Sequence, residues 1–261
     1  MRQWLLTVIL LLTGCGNPTV LDAFAPGNEL VVITRNGPTT YYLGANDPAW
    51  LEYELFKAFA DSQEMTLRIK VAPTIEEVFD TLARGEAHIA AAGLTQSRAR
   101  DELFTSTQPY LKQHPVVVYK AGQFRPRSVE GLANLDIVIM KGSHHRTRLN
   151  MLSEMDPSIT FRVLETAQSS AVLSEIEADR ADVALLDSSE FSMQQRLYPR
   201  VAKAFELKET LNTVWYLGLD ARAQKWREKI NTFLAQEADK GRLADLEERY
   251  FGSDADTSRI E

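Results

Sequence analysis

Short apolar runs alternate with amphipathic stretches along most of the chain. Residues 30–34 and 88–92 have the length and apolar character of buried strands. Between such runs, apolar residues recur at helical spacing, as do Leu51, Leu55 and Phe59. This alternation predicts an α/β fold in which parallel sheets are flanked by helices.

The strand and helix signals form two groups. The first group ends with a β-prone run at residues 116–119, which we assign to the first lobe. The second includes strands at residues 136–140 and 183–186, the latter followed by Asp187, and a later strand at 211–219 precedes two amphipathic stretches. Two βαβαβ units with a returning tail predict a two-lobed clamshell with a cleft between the strand ends.

The amino-terminal residues have the features of an export signal. Arg2 precedes an apolar run at residues 4–12, which is too short for a bilayer of about 30 Å that needs roughly 20 apolar residues. Together with the lobes, the predicted division is a signal peptide (1–14), a tether (15–28), a first lobe (29–120), a second lobe (121–208), a return to the first lobe (209–252) and a tail (253–261).

The single cysteine follows small residues in the order Leu12, Thr13, Gly14, Cys15. One cysteine cannot form an internal disulfide or a Cys-rich zinc site. The ending resembles the lipobox of bacterial lipoproteins, which implies a membrane anchor through lipidated Cys15. Gly16 in the next position implies the periplasmic face of the outer membrane. The alternative is a chance cysteine at a plain cleavage site.

Composition excludes some partners. The chain has 261 residues, 44% of them hydrophobic and 25% charged, which is typical of a globular protein. Lys and Arg total 29 against 36 Asp and Glu, for a net charge of -7. Because there is no basic excess to neutralise a phosphate backbone, we expect no nucleic-acid partner.

Ten stretches of the chain match a known pattern: residues 34–42, 52–55, 58–60, 90–95, 125–128, 142–144, 187–188, 195–199, 243 and 248–252. They resemble family 3 of the periplasmic solute-binding proteins, the amino-acid-binding type, and more closely the non-catalytic N-terminal module of membrane-bound lytic murein transglycosylases. The resemblance covers about residues 29–252 and implies a type II periplasmic-binding-protein clamshell, a small-molecule ligand, no cofactor and a monomer.

The sequence departs from those transglycosylases after Gly252. Only residues 253–261 follow, whereas the transglycosylases continue into a lysozyme-like catalytic domain. The sequence is therefore either a stand-alone lipoprotein related to the module or a piece of a longer enzyme, and it does not decide between them.

Residues 95–100 follow a strand directly and contain two arginines, Arg98 and Arg100. Backbone N–H groups there can face an anion, and an arginine offers a bidentate fork to a carboxylate. The resemblance implies that Arg100 binds the carboxylate of the ligand with help from Thr95, and that Gly93 and Leu94 line the site. The alternative is that Arg100 is a solvated surface charge.

Ser143 and His144 lie where a predicted strand leads into a helix, a natural position for anion binding. Asp187 follows an apolar strand, where a carboxylate can receive an ammonium group, and the resemblance implies that role. The alternative is that Ser143 and Asp187 only cap helices or turns. Adjacent His144 and His145 on a helix diverge by about 100°, and no ligand lies four residues on, so we expect no metal site.

Two aromatic residues follow the first strand. The resemblance implies that an aromatic ring here stacks on the ligand, which would make Tyr41 or Tyr42 a cleft residue. The alternative is packing of the loop on the first helix.

Three classes of function remain. The first is a lipid-anchored protein that closes on an amino acid or a peptidoglycan-derived peptide, for delivery to a transporter permease or for sensing. The second is a regulator of cell-wall enzymes. The third is an enzyme, which we do not expect, because among histidines only His144 lies near the predicted binding positions to move a proton.

Overall fold

The structure is a computed structural model of the chain. It describes residues 24–37, 48–219 and 221–252, together with residues 21, 40, 42 and 43; for residues 42, 43, 48, 49 and 221 it describes the backbone alone. The predicted signal peptide, Cys15, Tyr41 and the predicted tail lie outside the described residues.

The first part of the chain builds most of one lobe. Its elements are β1 (Glu29–Arg35), β2 (Tyr42–Leu43), β3 (Pro48–Ala49), α1 (Leu51–Ser62), β4 (Thr66–Ala72), α2 (Ile75–Ala83), β5 (Ile89–Thr95), α3 (Arg98–Asp101), β6 (Thr105–Ser106) and β7 (Leu111–Gln113).

The remaining residues build the second lobe and then return to the first. Their elements are β8 (Pro115–Lys120), a 3-10 turn (Glu130–Leu132), β9 (Ile137–Met140), α4 (His145–Met155), β10 (Phe161–Leu164), α5 (Ser169–Glu177), β11 (Val183–Asp187), α6 (Ser188–Gln194), β12 (Val201–Glu206), β13 (Leu211–Leu217), α7 (Ala221–Asp239) and α8 (Arg242–Phe251).

Each lobe contains one mixed sheet. The first has the order β4-β1-β5-β13-β6, with β7 also paired to β13, and the second has the order β10-β9-β11-β8-β12. The predicted parallel core is present in both, as β4-β1-β5 and β10-β9-β11. However, β13 and β8 run antiparallel to their neighbours, because they are the strands by which the chain returns to or enters a sheet.

Both faces of each sheet are buried. In β1, Leu30 and Val32 pack with residues of α1, α7 and α8, whereas Val31 and Ile33 pack on the opposite face with residues of α2. The second sheet is covered by α4 on one face and by α5 and α6 on the other. Burial of each such side chain contributes about 1.5–3 kcal/mol, so the paired layers hold each lobe together.

The chain crosses between the sheets twice. It leaves the first sheet after Gln113, enters the second at Pro115, and returns between Glu206 and Leu211. The assignment of residues 116–119 to the first lobe is therefore wrong, because β8 pairs with β11 and β12. An apolar run shows that a strand is buried, but it does not show which sheet the strand joins.

The end of the predicted tether belongs to the first lobe. The Phe24 ring lies 5.9 Å from that of Phe59 in the core, and the Gly27 N–H donates to the Glu64 carbonyl at 2.8 Å. Residues 24–28 thus pack on the lobe, contrary to the prediction of a tether over 15–28. No helix in the described ranges has the length and apolar character that crossing a membrane requires.

Helix α2 begins as its sequence predicts. The Thr74 side chain accepts the backbone N–H of Glu77 at 3.1 Å, and Val78 and Leu82 face the core. The cap satisfies one of the N–H groups that a helix start leaves unpaired. The next residue, Ile75, lies beside Gly142 of the second lobe.

We expect Thr74→Ala to lower the free energy of unfolding by about 1 kcal/mol, because the Glu77 N–H loses its acceptor. Thr74→Ser keeps an acceptor and is the matched control. Urea unfolding monitored by circular dichroism measures both. Equal stability of the alanine and serine variants would show that the cap contributes nothing.

Candidate functional site

Strand ends from both sheets meet at the seam between the lobes. Arg35 ends β1 and Thr95 ends β5 in the first lobe, whereas Met140 ends β9 and Asp187 ends β11 in the second. Arg35 Nη1 lies 3.9 Å from Met140 Sδ, across the seam. Ligands of open α/β sheets bind at the carboxyl ends of strands, so this seam is the candidate functional site.

Arg100 on α3 spans the seam. Its guanidinium donates to the Thr95 carbonyl at 2.6 Å and to the Gly142 carbonyl of the second lobe at 3.0 Å. It also lies 4.9 Å from the centre of the Phe79 ring. Burial lowers the pKa of Arg100, as expected of a cation withdrawn from water. In this position a guanidinium interacts with an anion more strongly than on the surface.

Arg35 makes the most buried contact between the lobes. Its Nε donates to the Ala92 carbonyl of the first lobe at 2.8 Å. Its other two nitrogens donate to the second lobe, to the Ala167 carbonyl and to the Glu190 carboxylate. The two side chains of the ion pair are 2% and 3% exposed. A buried ion pair, shielded from water, therefore connects the first lobe to the second.

The two members of this ion pair respond differently to burial. Burial disfavours the charged form of Arg35, but the charge and hydrogen bond of Glu190 outweigh it and raise the pKa of Arg35. For Glu190, burial raises the pKa and the charge of Arg35 opposes the rise only in part. Loss of the partner would thus destabilise the charged form of Glu190 more than that of Arg35.

Glu52 is a second buried acid on the first lobe. One of its oxygens accepts the Gly93 N–H at 2.9 Å and the other accepts the Tyr110 hydroxyl at 2.6 Å. Burial raises the pKa of Glu52 to about 7, although these hydrogen bonds and the charge of Arg35 lower it. The side chain therefore exchanges a proton near neutral pH.

Two histidines surround Asp187. Asp187 Oδ1 lies 3.2 Å from His145 Nε2 and 3.6 Å from His144 Nε2, and Oδ2 accepts Gln113 Nε2 at 3.1 Å. Burial and repulsion from His145 lower the pKa of His144 to about 3. Burial opposes ionisation of Asp187, but the two imidazoles and the guanidinium of Arg35 outweigh it and lower its pKa. The cluster thus contains a carboxylate and a neutral imidazole.

The two histidines do not diverge as the sequence suggested. Their ring centroids lie 4.0 Å apart, because α4 begins at His145 and His144 precedes the helix. The sequence has no further ligand four residues on along the same helix as the histidines. The carboxylate near them instead belongs to Asp187, at the end of β11. These three side chains place one possible metal-ligand atom each within 4.8 Å of one another.

Several buried polar atoms at the seam have no hydrogen-bond partner within the described part of the chain. Most buried polar groups in proteins are hydrogen-bonded, so such a cluster needs an explanation. The atoms come from both lobes: Thr95 Oγ1, Ser143 Oγ, His144 Nε2, Asp187 Oδ1 and Glu190 Oε2. Unpaired atoms that converge on one place are a feature of ligand sites.

The lobes are in close contact around these atoms. A Cβ at Gly142 would lie 3.0 Å from the Ile75 Cβ of the other lobe, and Gly142 has φ +72°, which favours glycine. A cavity of about 10 Å³ remains beside Glu190 and Asp187, about the volume that one water needs. This is a closed conformation of the cleft.

The structure brings some of the predicted site residues together and places others elsewhere. Arg100, Thr95, Ser143, His144 and Asp187 come together at the seam.

The other predicted site residues either place no side chain in the cleft or lie outside the residues that the structure describes. Leu94 packs in the core of the first lobe, so only its backbone can line the cleft, and the Gly93 N–H is used by Glu52. Tyr42 lies in β2, where only its backbone is described, and Tyr41 is outside the described residues. The ligand roles of both tyrosines stay predictions.

Sequence reasoning missed Arg35, Glu52, Glu190 and His145. Two of them carried a usable signal. Arg35 directly follows the predicted first strand, and the strand-end rule for α/β sheets applies to it as it does to Asp187. Glu52 lies four residues before Phe56, on the buried face of α1. Glu190 and His145 lacked such a signal, since Glu190 pairs with Arg35 of the other lobe and His145 meets Asp187 from a distant part of the chain.

Comparison with known proteins agrees with this architecture. A profile of the bacterial extracellular solute-binding proteins, family 3, matches residues 30–253. An ancestral arginine-binding protein bound to arginine has a TM-score of 0.77 at 19% identity, covering 86% of this chain and 98% of its own. A putative L-cystine ABC transporter from Listeria monocytogenes also scores 0.77, at 17% identity, with 89% and 100% coverage. The predicted type II clamshell is confirmed.

Curated relatives in sequence are membrane-bound lytic murein transglycosylases F. The protein from Pseudomonas putida (strain W619) is 34% identical over 254 residues, and that from Ectopseudomonas mendocina (strain ymp) is 33% identical over 248. These matches cover 96% and 94% of this chain but 52% and 51% of the relatives. The chain thus spans about half their length, and the predicted resemblance is confirmed.

Arg35→Met leaves the Glu190 carboxylate buried without its cation, which we expect to lower the free energy of unfolding by about 3–5 kcal/mol. Adding Glu190→Gln to this variant removes the uncompensated charge and should restore part of the loss. Urea unfolding of the two single variants and the double variant measures the coupling.

Arg249→Met is the matched control, because Arg249 pairs with Glu54 on the surface. Such pairs contribute about 0.2–1 kcal/mol, so its effect should be small. If the Arg35 and Glu190 effects simply add, within about 0.5 kcal/mol, the two side chains do not form the coupled pair described above.

Glu52→Gln tests the buried acid. Its ordinary pKa is 4.5 and the folded value is about 7, so the folded state holds a proton that the unfolded state releases between these values. Stability should therefore fall as pH rises from about 4.5 to 7, by up to about 3 kcal/mol at about 1.4 kcal/mol per pKa unit. Glu52→Gln removes this part of the pH dependence.

Urea unfolding at pH 5 and pH 7.5 gives the comparison, with Glu54→Gln, on the outer side of the same helix, as the control. A wild type and a Glu52→Gln variant that lose the same stability across this range would exclude a raised pKa for Glu52.

Proposed function

Because the chain belongs to family 3 of the bacterial extracellular solute-binding proteins, we propose that it closes on a small zwitterion in the cleft between its lobes. The ligand class is an amino acid or a short peptidoglycan-derived peptide. Solved structures of this fold include an arginine-binding protein bound to arginine and one bound to glutamine. These are other proteins, and here they support the class of ligand.

The proposal depends chiefly on the unpaired polar atoms beside Arg100. Thr95 Oγ1 on the first lobe and Ser143 Oγ on the second are buried without partners among the described residues. Arg100 reaches the carbonyls of Thr95 and of Gly142, the neighbour of Ser143. A ligand carboxylate here would accept from both hydroxyls and from the guanidinium, and so would link the lobes.

Asp187 supplies the opposite charge. Its Oδ1 is buried, with His145 Nε2 at 3.2 Å but without a well-directed hydrogen bond in the described ranges, while Gln113 fixes Oδ2. An ammonium group near Oδ1 would receive a charge-assisted interaction in a desolvated place. A fixed cation and a fixed carboxylate within one cleft are the minimum that recognition of a zwitterion requires.

Binding also requires movement of the lobes. The cavity beside Asp187 is about 10 Å³, far smaller than an amino acid, and Arg35 with Glu190 holds the lobes together next to it. Entry of a ligand must therefore open the seam and separate or rearrange these charges. The affinity for the ligand is reduced by the free energy of that opening.

An extracellular family suits a solute-binding protein of the bacterial cell envelope. We propose a periplasmic location with lipidation of Cys15 on the outer membrane, for delivery to a permease or for sensing. Support comes from the extracellular family, from the ABC-transporter neighbour and from the membrane-bound transglycosylases among the sequence relatives.

The second candidate is a regulatory module in cell-wall turnover. The observation that favours it is the match over 96% of this chain to a lytic murein transglycosylase, where it corresponds to 52% of that protein. In this role, closure on a wall-derived peptide would alter the activity of a peptidoglycan-cleaving partner or domain.

Arg100→Ala tests the carboxylate-binding role. The measurement is the thermal shift of the chain with L-amino acids, short D,L-peptides and muropeptides. A ligand at a hundredfold excess over Kd should stabilise the wild type by about 2.7 kcal/mol, and Arg100→Ala should lose most of this gain. The control is Arg98→Ala, because the Arg98 side chain is 94% exposed.

Each outcome separates the candidates. A shift with free amino acids favours a solute receptor, whereas a shift only with wall peptides favours the regulatory module. An Arg100→Ala variant that keeps the full shift would remove Arg100 from the site. Asp187→Asn should weaken binding of zwitterions more than binding of simple carboxylates, and equal loss for both would contradict its ammonium-binding role.

A further inference from the structure

We propose that His144, His145 and Asp187 form a binding site for a divalent transition-metal ion such as Zn²⁺. The inference goes beyond the proposed function, because it concerns a metal ion in addition to an organic ligand. It does not depend on that function, since the three side chains are brought together by the fold itself.

The distances between the three side chains suit a metal. Zinc binds imidazole nitrogen at about 2.0–2.1 Å and carboxylate oxygen at about 2.0–2.2 Å, which places two tetrahedral ligand atoms about 3.3 Å apart. Asp187 Oδ1 lies 3.2 Å from His145 Nε2 and 3.6 Å from His144 Nε2. The three possible ligand atoms all lie within 4.8 Å of one another, so one ion can contact all three once the side chains move closer together.

The same atoms have unused bonding capacity. His144 Nε2 and Asp187 Oδ1 are both buried without a hydrogen-bond partner among the residues described. A neutral imidazole and a carboxylate are the forms in which these groups bind metals. An ion between them would satisfy both atoms at once.

The surroundings provide support for the carboxylate. Gln113 Nε2 donates to Asp187 Oδ2 at 3.1 Å and so orients the carboxylate with Oδ1 toward the histidines. Such outer contacts are typical of metal sites and increase their affinity. Arg35 contributes positive charge near Asp187, but Glu190 pairs with it and reduces its repulsion of a cation.

The donor set indicates the class of metal. Two imidazoles and one carboxylate favour Zn²⁺, Ni²⁺, Cu²⁺ or Fe²⁺, whereas Mg²⁺ and Ca²⁺ prefer oxygen ligands. Three protein ligands leave a fourth position for water or a ligand group. The metal and an ammonium group would both use Asp187 Oδ1, so they would not occupy the cluster together.

The test is titration of the full chain, purified in mild detergent without a histidine tag, with Zn²⁺ and with Co²⁺. Isothermal titration calorimetry should show one Zn²⁺ per chain, and Co²⁺ should give visible absorption bands of a site with nitrogen and oxygen ligands. His145→Asn and His144→Asn should each weaken Zn²⁺ binding at least tenfold. His144 is the less buried of the two, so its variant also covers misfolding of His145→Asn.

His114→Asn is the matched control, because His114 contacts the Glu209 carbonyl and not this cluster. It should bind Zn²⁺ like the wild type. Absence of stoichiometric binding, or equal binding by wild type, His144→Asn and His145→Asn, would overturn the proposal. Amino-acid titrations are run separately in EDTA, so failure of the metal site and failure of the zwitterion site give different results.

Discussion

The buried ion pair between Arg35 and Glu190 constrains the rest of the cleft. Arg35 ends β1 of the first lobe, and its guanidinium uses the Ala92 carbonyl on its own side and Ala167 and Glu190 on the other. Taking both charges out of water is costly unless they stay paired, so any opening of the seam must separate them or let water in. The lobes are therefore coupled through electrostatics as well as through shape.

The other charged groups at the seam follow from the same geometry. Arg100, Asp187 and Glu52 lie at or beside strand ends and helix starts, where a two-lobed α/β fold collects polar groups in a dry place. Low local polarity makes each of them a strong partner for an opposite charge, and a costly group when unpaired.

The fold class could be predicted from the sequence because the spacing of apolar residues and the helix caps depend on local structure alone, as Thr74 illustrates. Arg100 and Asp187 were predicted because they follow strands and match a known pattern. Residues 116–119 were assigned to the wrong lobe, since an apolar run does not identify its partner strands. Glu190 escaped prediction for a similar reason, because its partner Arg35 is 155 positions away and lies on the other lobe.

Small-angle X-ray scattering of the chain without added solute tests the central claim, that the protein's own ion pair stabilises the closed cleft. The account predicts a compact wild type and a larger radius of gyration for Arg35→Met, with Arg249→Met like the wild type. An already open wild type, or no difference between wild type and Arg35→Met, would contradict it.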